Sequence, residues 1–235
     1  MSYNIRSARG SDNRVDLERI ASVIAPFEPQ IVALQEVDVG HARSGGVDQA
    51  HKLALRLEMS AHFAPCVERG CERYGIATLT SLAMVESRLV VLPALVHRRG
   101  SQPRRALVTR LTWPAHGHTL DMVNTHLSIV AAERPAQVAA IASELDADDV
   151  VVAGDLNCMP WSRAYRALSG ALRSATQGAR TWPARAPLFS IDHILYRGAF
   201  GVIEAGAWTP PNARRASDHL PVIAVLEHRA HAEAA

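Results

Sequence analysis

VVVAGDLNCMP, residues 150–160, is the stretch on which the reading of the whole chain turns. Four apolar residues run through Gly154 into a carboxylate, Asp155, and a carboxamide, Asn157. Side chains alternate across a strand, so Asp155 and Asn157 are expected on one face and Leu156 on the other. One Asp or Asn at a strand end usually serves a turn or cap. Two such groups on one face of a buried strand need a partner, because a buried polar group without one costs ~1–3 kcal/mol.

The same ending recurs along the chain. Strand-like runs are read at residues 30–37, 75–82, 87–93, 105–113, 120–128, 150–157, 190–196 and 219–228. Glu36 lies inside the first of these, and Asn124 and His126 share a face of the fifth. Asp192 stands near the start of the seventh, while Asp218 and His219 open the last. Each could be a cap or a hydrogen-bonded core residue, except that a carboxylate within a buried strand, as at Glu36, is costly unless paired or metal-bound. Helical periodicity marks residues 14–24, 48–59 and 133–145 as surface helices. Between residues 75 and 128 the runs leave no room for helices, so antiparallel hairpins must be mixed with β-α units. HRRGSQPRR, residues 97–105, reads as a hairpin tip with solvated arginines, and the tail EHRAHAEAA, residues 227–235, as a fraying end.

Bulk properties exclude several classes. The 235 residues suit one domain, spanning 1–235, and 48% apolar with 20% charged residues is ordinary globular composition. A net charge of +2 provides no global field toward nucleic acid or anionic membrane, so any basic site must be local. Cys66, Cys71 and Cys158 are expected as free thiols, with a Cys66–Cys71 bridge conceivable. No apolar run approaches membrane-spanning length, and MSYNIRSARG lacks a signal-peptide pattern, so stable membrane association is not expected and the cytoplasm is the default.

The ordered set YNIR (3–6), LQEVD (34–38), VNTHLS (123–128), AGDLN (153–157), IDHIL (191–195) and SDHLPV (217–222) resembles the endonuclease/exonuclease/phosphatase superfamily of metal-dependent phosphoesterases. That superfamily includes pancreatic deoxyribonuclease, apurinic endonucleases, neutral sphingomyelinases and inositol polyphosphate phosphatases, and GHARSGGVDQA (40–50) looks like its small bacterial members. The resemblance implies an α/β fold: a sandwich of two mixed, largely antiparallel β-sheets with helices on the outer faces and the active site where strand ends meet. It departs from the pattern at Arg6, where apurinic endonucleases carry an aspartate, and at Ile76, Ser81 and His193. Only two residues precede Tyr3, so a short first strand is expected.

By resemblance, Glu36 is the principal metal ligand, helped by Asn4, with Asp218 direct or water-bridged. Asp155 would orient and deprotonate the attacking water, and Asn157 would hold a phosphoryl oxygen. His126 and His219 would donate to developing charge, with Asp192 fixing the tautomer of His219. Tyr74 and Asn124 are implied in substrate binding; Arg214 and Arg215 join them because they stand just before Asp218. Oxygen donors favour Mg2+, with Mn2+ as a substitute. The expected activity is divalent-metal-dependent hydrolysis of a phosphodiester by a nuclease or phosphodiesterase, with nucleic acid and a small soluble phosphoester both open as the substrate. The alternatives are a phosphomonoesterase acting on a small metabolite or lipid headgroup, and a silent phospho-ligand-binding module. Trp161 and Trp182 are the aromatic candidates near the site in a chain with 5% aromatic residues.

Overall fold

A computed structural model describes residues 1–95, 98–113 and 118–229. Twelve strands form two six-stranded sheets among these residues. The first contains β1 (Ser2–Asn4), β2 (Ile31–Val39), β3 (Ser60–Arg69), β4 (Glu72–Thr80), β11 (Phe200–Ala207) and β12 (Val222–His228), in the order β11-β12-β1-β2-β4-β3. The second contains β5 (Met84–Leu92), β6 (Arg104–Thr112), β7 (Thr119–His126), β8 (Val150–Asp155), β9 (Arg173–Ser174) and β10 (Asp192–Arg197), in the order β5-β6-β7-β8-β10-β9. Only the β1–β2 and β7–β8 pairings are parallel, so the sheets are mixed and largely antiparallel, as expected.

Five α-helices accompany them among the described residues: α1 (Leu17–Ile24), α2 (Gln49–Arg56), α3 (Arg134–Ala142), α4 (Arg163–Ser169) and α5 (Ala213–Ala216). Side-chain caps start three of them, with Asp16, Asp48 and Ser162 accepting from the backbone N–H three positions on. Strand alternation then sorts the apolar residues into three layers. Val32 and Leu34 of β2 pack with Ile20, Ile24 and Leu53 of α1 and α2 on one outside. Val150 and Val152 of β8 pack with Val138, Ile141 and Leu168 of α3 and α4 on the other. Between the sheets lie Ala33 and Val222 of the first with Leu120, Met122, Val151, Ala153 and Ile194 of the second. The sandwich with outer helices is the expected fold.

Three strands escaped the sequence pattern for local reasons. β3 is an edge strand carrying Pro65 and a register shift between Pro65 and Val67, which is where a sheet tolerates proline. β11 is the other edge of the same sheet and contains Gly201 and Gly206. β9 has two residues. The expected hairpin tip does join β5 to β6, although His97 lies outside the described residues, as do residues 230–235 of the tail. All three cysteines are free, Cys66 and Cys158 buried and Cys71 exposed. No helix among the described residues is long and apolar enough to cross a membrane.

Candidate active site

The strands of the inner layer change character along their length. On β7 the inward series runs Leu120, Met122, Asn124, His126; on β8 it runs Val151, Ala153, Asp155; on β10 it runs Tyr196, Ile194, Asp192. Register places His126 opposite Asp155, and Asp155 opposite Asp192, so three polar termini meet at one end of the sandwich. Gly154 permits this approach, because a β-carbon there would collide with the Thr125 carbonyl oxygen of β7.

The opening stretch resolves into a strand and a turn. β8 stops at Asp155, and Asn157 takes a left-handed conformation (φ +48°) with its N–H donating to Asp155 Oδ1 at 2.9 Å. Leu156 is fully buried in the layer facing α3 and α4. Asn157 Nδ2 donates to the Leu127 carbonyl at 2.9 Å, so its amide braces the turn.

Asp155 Oδ2 is where the other groups converge. Asn4 Nδ2 donates to it at 3.1 Å and to Glu36 Oε1 at 3.0 Å, while Asn4 Oδ1 accepts from Arg6 N. His126 Nε2 lies 3.4 Å and His219 Nε2 3.8 Å from the same oxygen. Arg104 NH1 is 3.0 Å from His126 Nδ1; guanidinium only donates, so Nδ1 accepts and the ring proton sits on Nε2, facing Asp155. Burial, then Arg104 and His219, hold His126 well below its ordinary pKa, which keeps it a neutral N–H donor.

His219 is held in the opposite state. Burial alone would favour the neutral ring, but Asp192, Asp155 and Asp218 outweigh it and push the pKa up to about 10. Its Nδ1 donates to Asp192 Oδ2 at 2.9 Å, and Thr181 Oγ1 donates to the same oxygen. Burial and the neighbouring Asp192 raise Asp155 to about 7, against the lowering effects of His219, Asn157 and Asn4.

Glu36 stands at a bulge in β2, between Leu34 and Val37, with φ +57°. A non-glycine residue in that region costs ~1–3 kcal/mol and is characteristic of functional sites. The bulge turns the carboxylate into an open cleft of ≈1360 Å³, which Tyr74, His126, Asp155, Asn157 and His219 also line. Burial and the charge of Glu36 raise the Tyr74 phenol, keeping it protonated. Six arginines line this cleft (Arg6, Arg9, Arg43, Arg69, Arg104, Arg134) with three carboxylates (Glu36, Glu72, Asp155); Asp38 pairs with Arg43 and Asp218 lies 3.7 Å from Arg6, so part of this cationic lining is already neutralised and the remainder suits an anion.

Other expected residues lie behind or away from the cleft. Asp192 is buried behind His219, and Asn4 bridges the carboxylates from below. Asp218 is 3.7 Å from Arg6 Nε, partly exposed and off the cleft wall. Asn124 does not reach the cleft. It is fully buried, donates to the Leu34 and Ala77 carbonyls and accepts from Gln35 Nε2, so it ties the two sheets together. Arg214 and Arg215 also point elsewhere: Arg214 donates to the Ala184 and Arg185 carbonyls, Arg215 pairs with Asp12 at 3.1 Å, and both line a separate small cleft. Closeness in sequence to Asp218 misled because α5 turns them outward.

Arg104 and Thr181 were missed. Arg104 belonged to a turn read as solvated, yet it is buried against His126. No spacing in the sequence marks it.

The sequence profile of the Endonuclease/Exonuclease/phosphatase family matches residues 1–219. The chain belongs to this family. Its members are phosphoesterases, generally dependent on a divalent metal and acting on phosphoesters that include nucleic acids. The chain is 30% identical over 143 residues to the uncharacterized protein YbhP of Escherichia coli K12, a match spanning 54% of each chain, about half the length of that curated relative. A conserved protein of unknown function from Enterococcus faecalis has the same fold, with a TM-score of 0.81 at 19% identity, covering 97% of this chain and 98% of that one. A mannosyl-6-phosphatase from Bacteroides thetaiotaomicron superposes with a TM-score of 0.75 at 18% identity, covering 96% and 98%.

The donor set fits a hard cation. Asp155, Asp192 and His219 have ligand atoms within 4.8 Å of one another, but the Asp192–His219 hydrogen bond already occupies two of them. Glu36 is the better anchor, since it opens to the cleft and Asn4 engages only its Oε1.

Proposed function

We propose that this protein, acting as a single domain, hydrolyses a phosphodiester with a divalent cation, Mg2+ in the first place and Mn2+ as a substitute. The observation that carries the reading is the convergence of Asn4, His126 and His219 on Asp155 Oδ2, beside Glu36 and within an arginine-rich cleft. Glu36 would hold the ion, with Asp218 joining through water; Asn4 positions the Glu36 and Asp155 carboxylates in the arrangement present and would be a ligand only with its carboxamide reversed. When bound, the ion neutralises phosphoryl charge and polarises the phosphorus centre.

Asp155 orients the attacking water and accepts its proton, a role suited by a pKa raised to about 7. The water oxygen bonds to phosphorus as the opposite P–O bond breaks, and the leaving oxygen departs with the bonding pair and takes its proton from solvent. His126, through its Nε2–H, and His219, as imidazolium, donate to the phosphoryl oxygens as charge develops. Asp192 holds His219 protonated and oriented. Asn157 keeps the Asp155 turn in place through its N–H, and Tyr74 donates from the far wall.

A second reading, a phosphomonoesterase, draws on the cleft arginines not paired with Asp38 or Asp218, which suit the second negative charge of a monoester. Incubation with bis-p-nitrophenyl phosphate, p-nitrophenyl phosphate and plasmid DNA, in Mg2+ or Mn2+ and then in EDTA, separates the possibilities. Metal-dependent turnover of the diester is expected. Exclusive turnover of the monoester would favour the second reading, and no turnover of any substrate would refute both.

A further inference from the structure

The chain has twelve aromatic residues, and only Trp161, Trp182 and Phe189 are exposed. All three line the same cleft. Trp161 exposes 70% of its surface, a large apolar area to leave in water in a protein that packs other rings against its core in pairs such as Phe27–Trp208 and Trp113–Phe200.

These rings stand on rigid supports tied to the candidate catalytic groups. Trp161 follows the turn that carries Asn157 and precedes Ser162, the cap of α4. Trp182 and Phe189 face each other across a short antiparallel bridge, their centroids 5.7 Å apart. Thr181, at the base of that bridge, donates to Asp192 and accepts from Leu220 N at 2.9 Å. A ring seated on this wall would therefore be held in register with a phosphoryl group beside His219.

We infer that Trp161 with the Trp182–Phe189 pair forms a stacking subsite for an unpaired heterocyclic base attached to the phosphate, making the substrate a mononucleotide ester or a single strand. The inference deepens the proposed hydrolase and rests on its placement of the phosphoryl group. A π-face is what a base offers regardless of its identity, so little discrimination among bases is expected. A pyranose also stacks on tryptophan but needs carboxylates or amides for its hydroxyls. Met159 and Ile191, two of the cleft residues flanking these rings in sequence, are apolar, and Asn157 Nδ2 already donates to the Leu127 carbonyl.

Tryptophan-emission titrations in Mg2+ with AMP, glucose 6-phosphate and glycerol phosphate test the inference, alongside inhibition of bis-p-nitrophenyl phosphate hydrolysis by the same compounds. AMP is expected to bind at least tenfold more tightly than the other two. Trp161→Ala should erase that preference, and Trp161→Phe should retain most of it. Equal binding of all three with hydrolysis intact overturns the stacking wall and leaves the hydrolase standing. Preferential AMP binding that Trp161→Ala abolishes, without any hydrolysis, upholds the wall and refutes the hydrolase. Equal gain for glucose 6-phosphate and AMP overturns the base in favour of a sugar ring.

Discussion

The two ends of the inter-sheet layer are made by the same strands and differ in almost every other respect. At one end Leu120, Met122, Val151, Ala153, Ile194 and Phe200 surround a small apolar cavity of ≈260 Å³. At the other, His126, Asp155 and Asp192 continue the same inward faces beside a cleft about five times larger. Alternation places the side chains identically in both halves, so only residue type changes. The apolar half holds the sheets together, and the polar half concentrates charge that burial would oppose unless each group had a partner. Asn124 marks the boundary: it is polar like the cleft residues, yet all its hydrogen bonds close within the protein.

Substitutions at the two ends should therefore fail in different ways. His219→Ala is expected to lower turnover of a phosphodiester at least a hundredfold, in line with the ~2.7–4 kcal/mol lost with one such donor; near-normal rates would remove His219 from the chemistry. Met122→Ala should cost ~2–5 kcal/mol in chemical denaturation while the folded protein keeps its turnover. A selective loss of activity there would erase the distinction between the ends. Asn124→Ala should cost ~1–3 kcal/mol by removing its hydrogen bonds to the Leu34 and Ala77 carbonyls and from Gln35 Nε2, again without a specific kinetic effect.

Acidity offers a finer probe. Asp155 is raised, so its base form appears only as pH climbs through about 7; His219 is raised, so its donor form is complete below, and lost through, about 10. Activity should occupy that window. Asp192 supports both shifts, and Asp192→Asn should move the alkaline limb toward the ordinary histidine value of ~6.5 and the acid limb downward as well. Limbs that stay in place would show that other groups set the profile. The smallest effect belongs to Arg214→Ala, for which unchanged diester kinetics are expected, because its guanidinium is bound to backbone carbonyls outside the cleft.

Legibility in the sequence followed the same division. Apolar strands such as β2, β7 and β8 could be read directly, and the polar groups that interrupt or end them exposed the candidate residues. β3 and β11 could not, because edge strands accept Pro65, Gly201 and Gly206, which break the pattern without breaking the sheet. Among side chains, Glu36, His126, Asp155 and His219 were visible as misfits in apolar runs. Arg104 was not: a basic residue beside a turn looks solvated until the fold closes over it. Asn124 and His126 looked alike by position, and only the depth of the first within the sandwich separates brace from donor.

The central claim is that groups from separate strands act as one unit around Asp155. A double-mutant cycle on metal-dependent bis-p-nitrophenyl phosphate hydrolysis, with Asp155→Asn, His219→Ala and the pair, tests it most directly. The account predicts that the double variant is scarcely slower than the slower single one. Fully multiplicative losses would contradict it, since independent effects would mean that the two residues do not share a transition state contact.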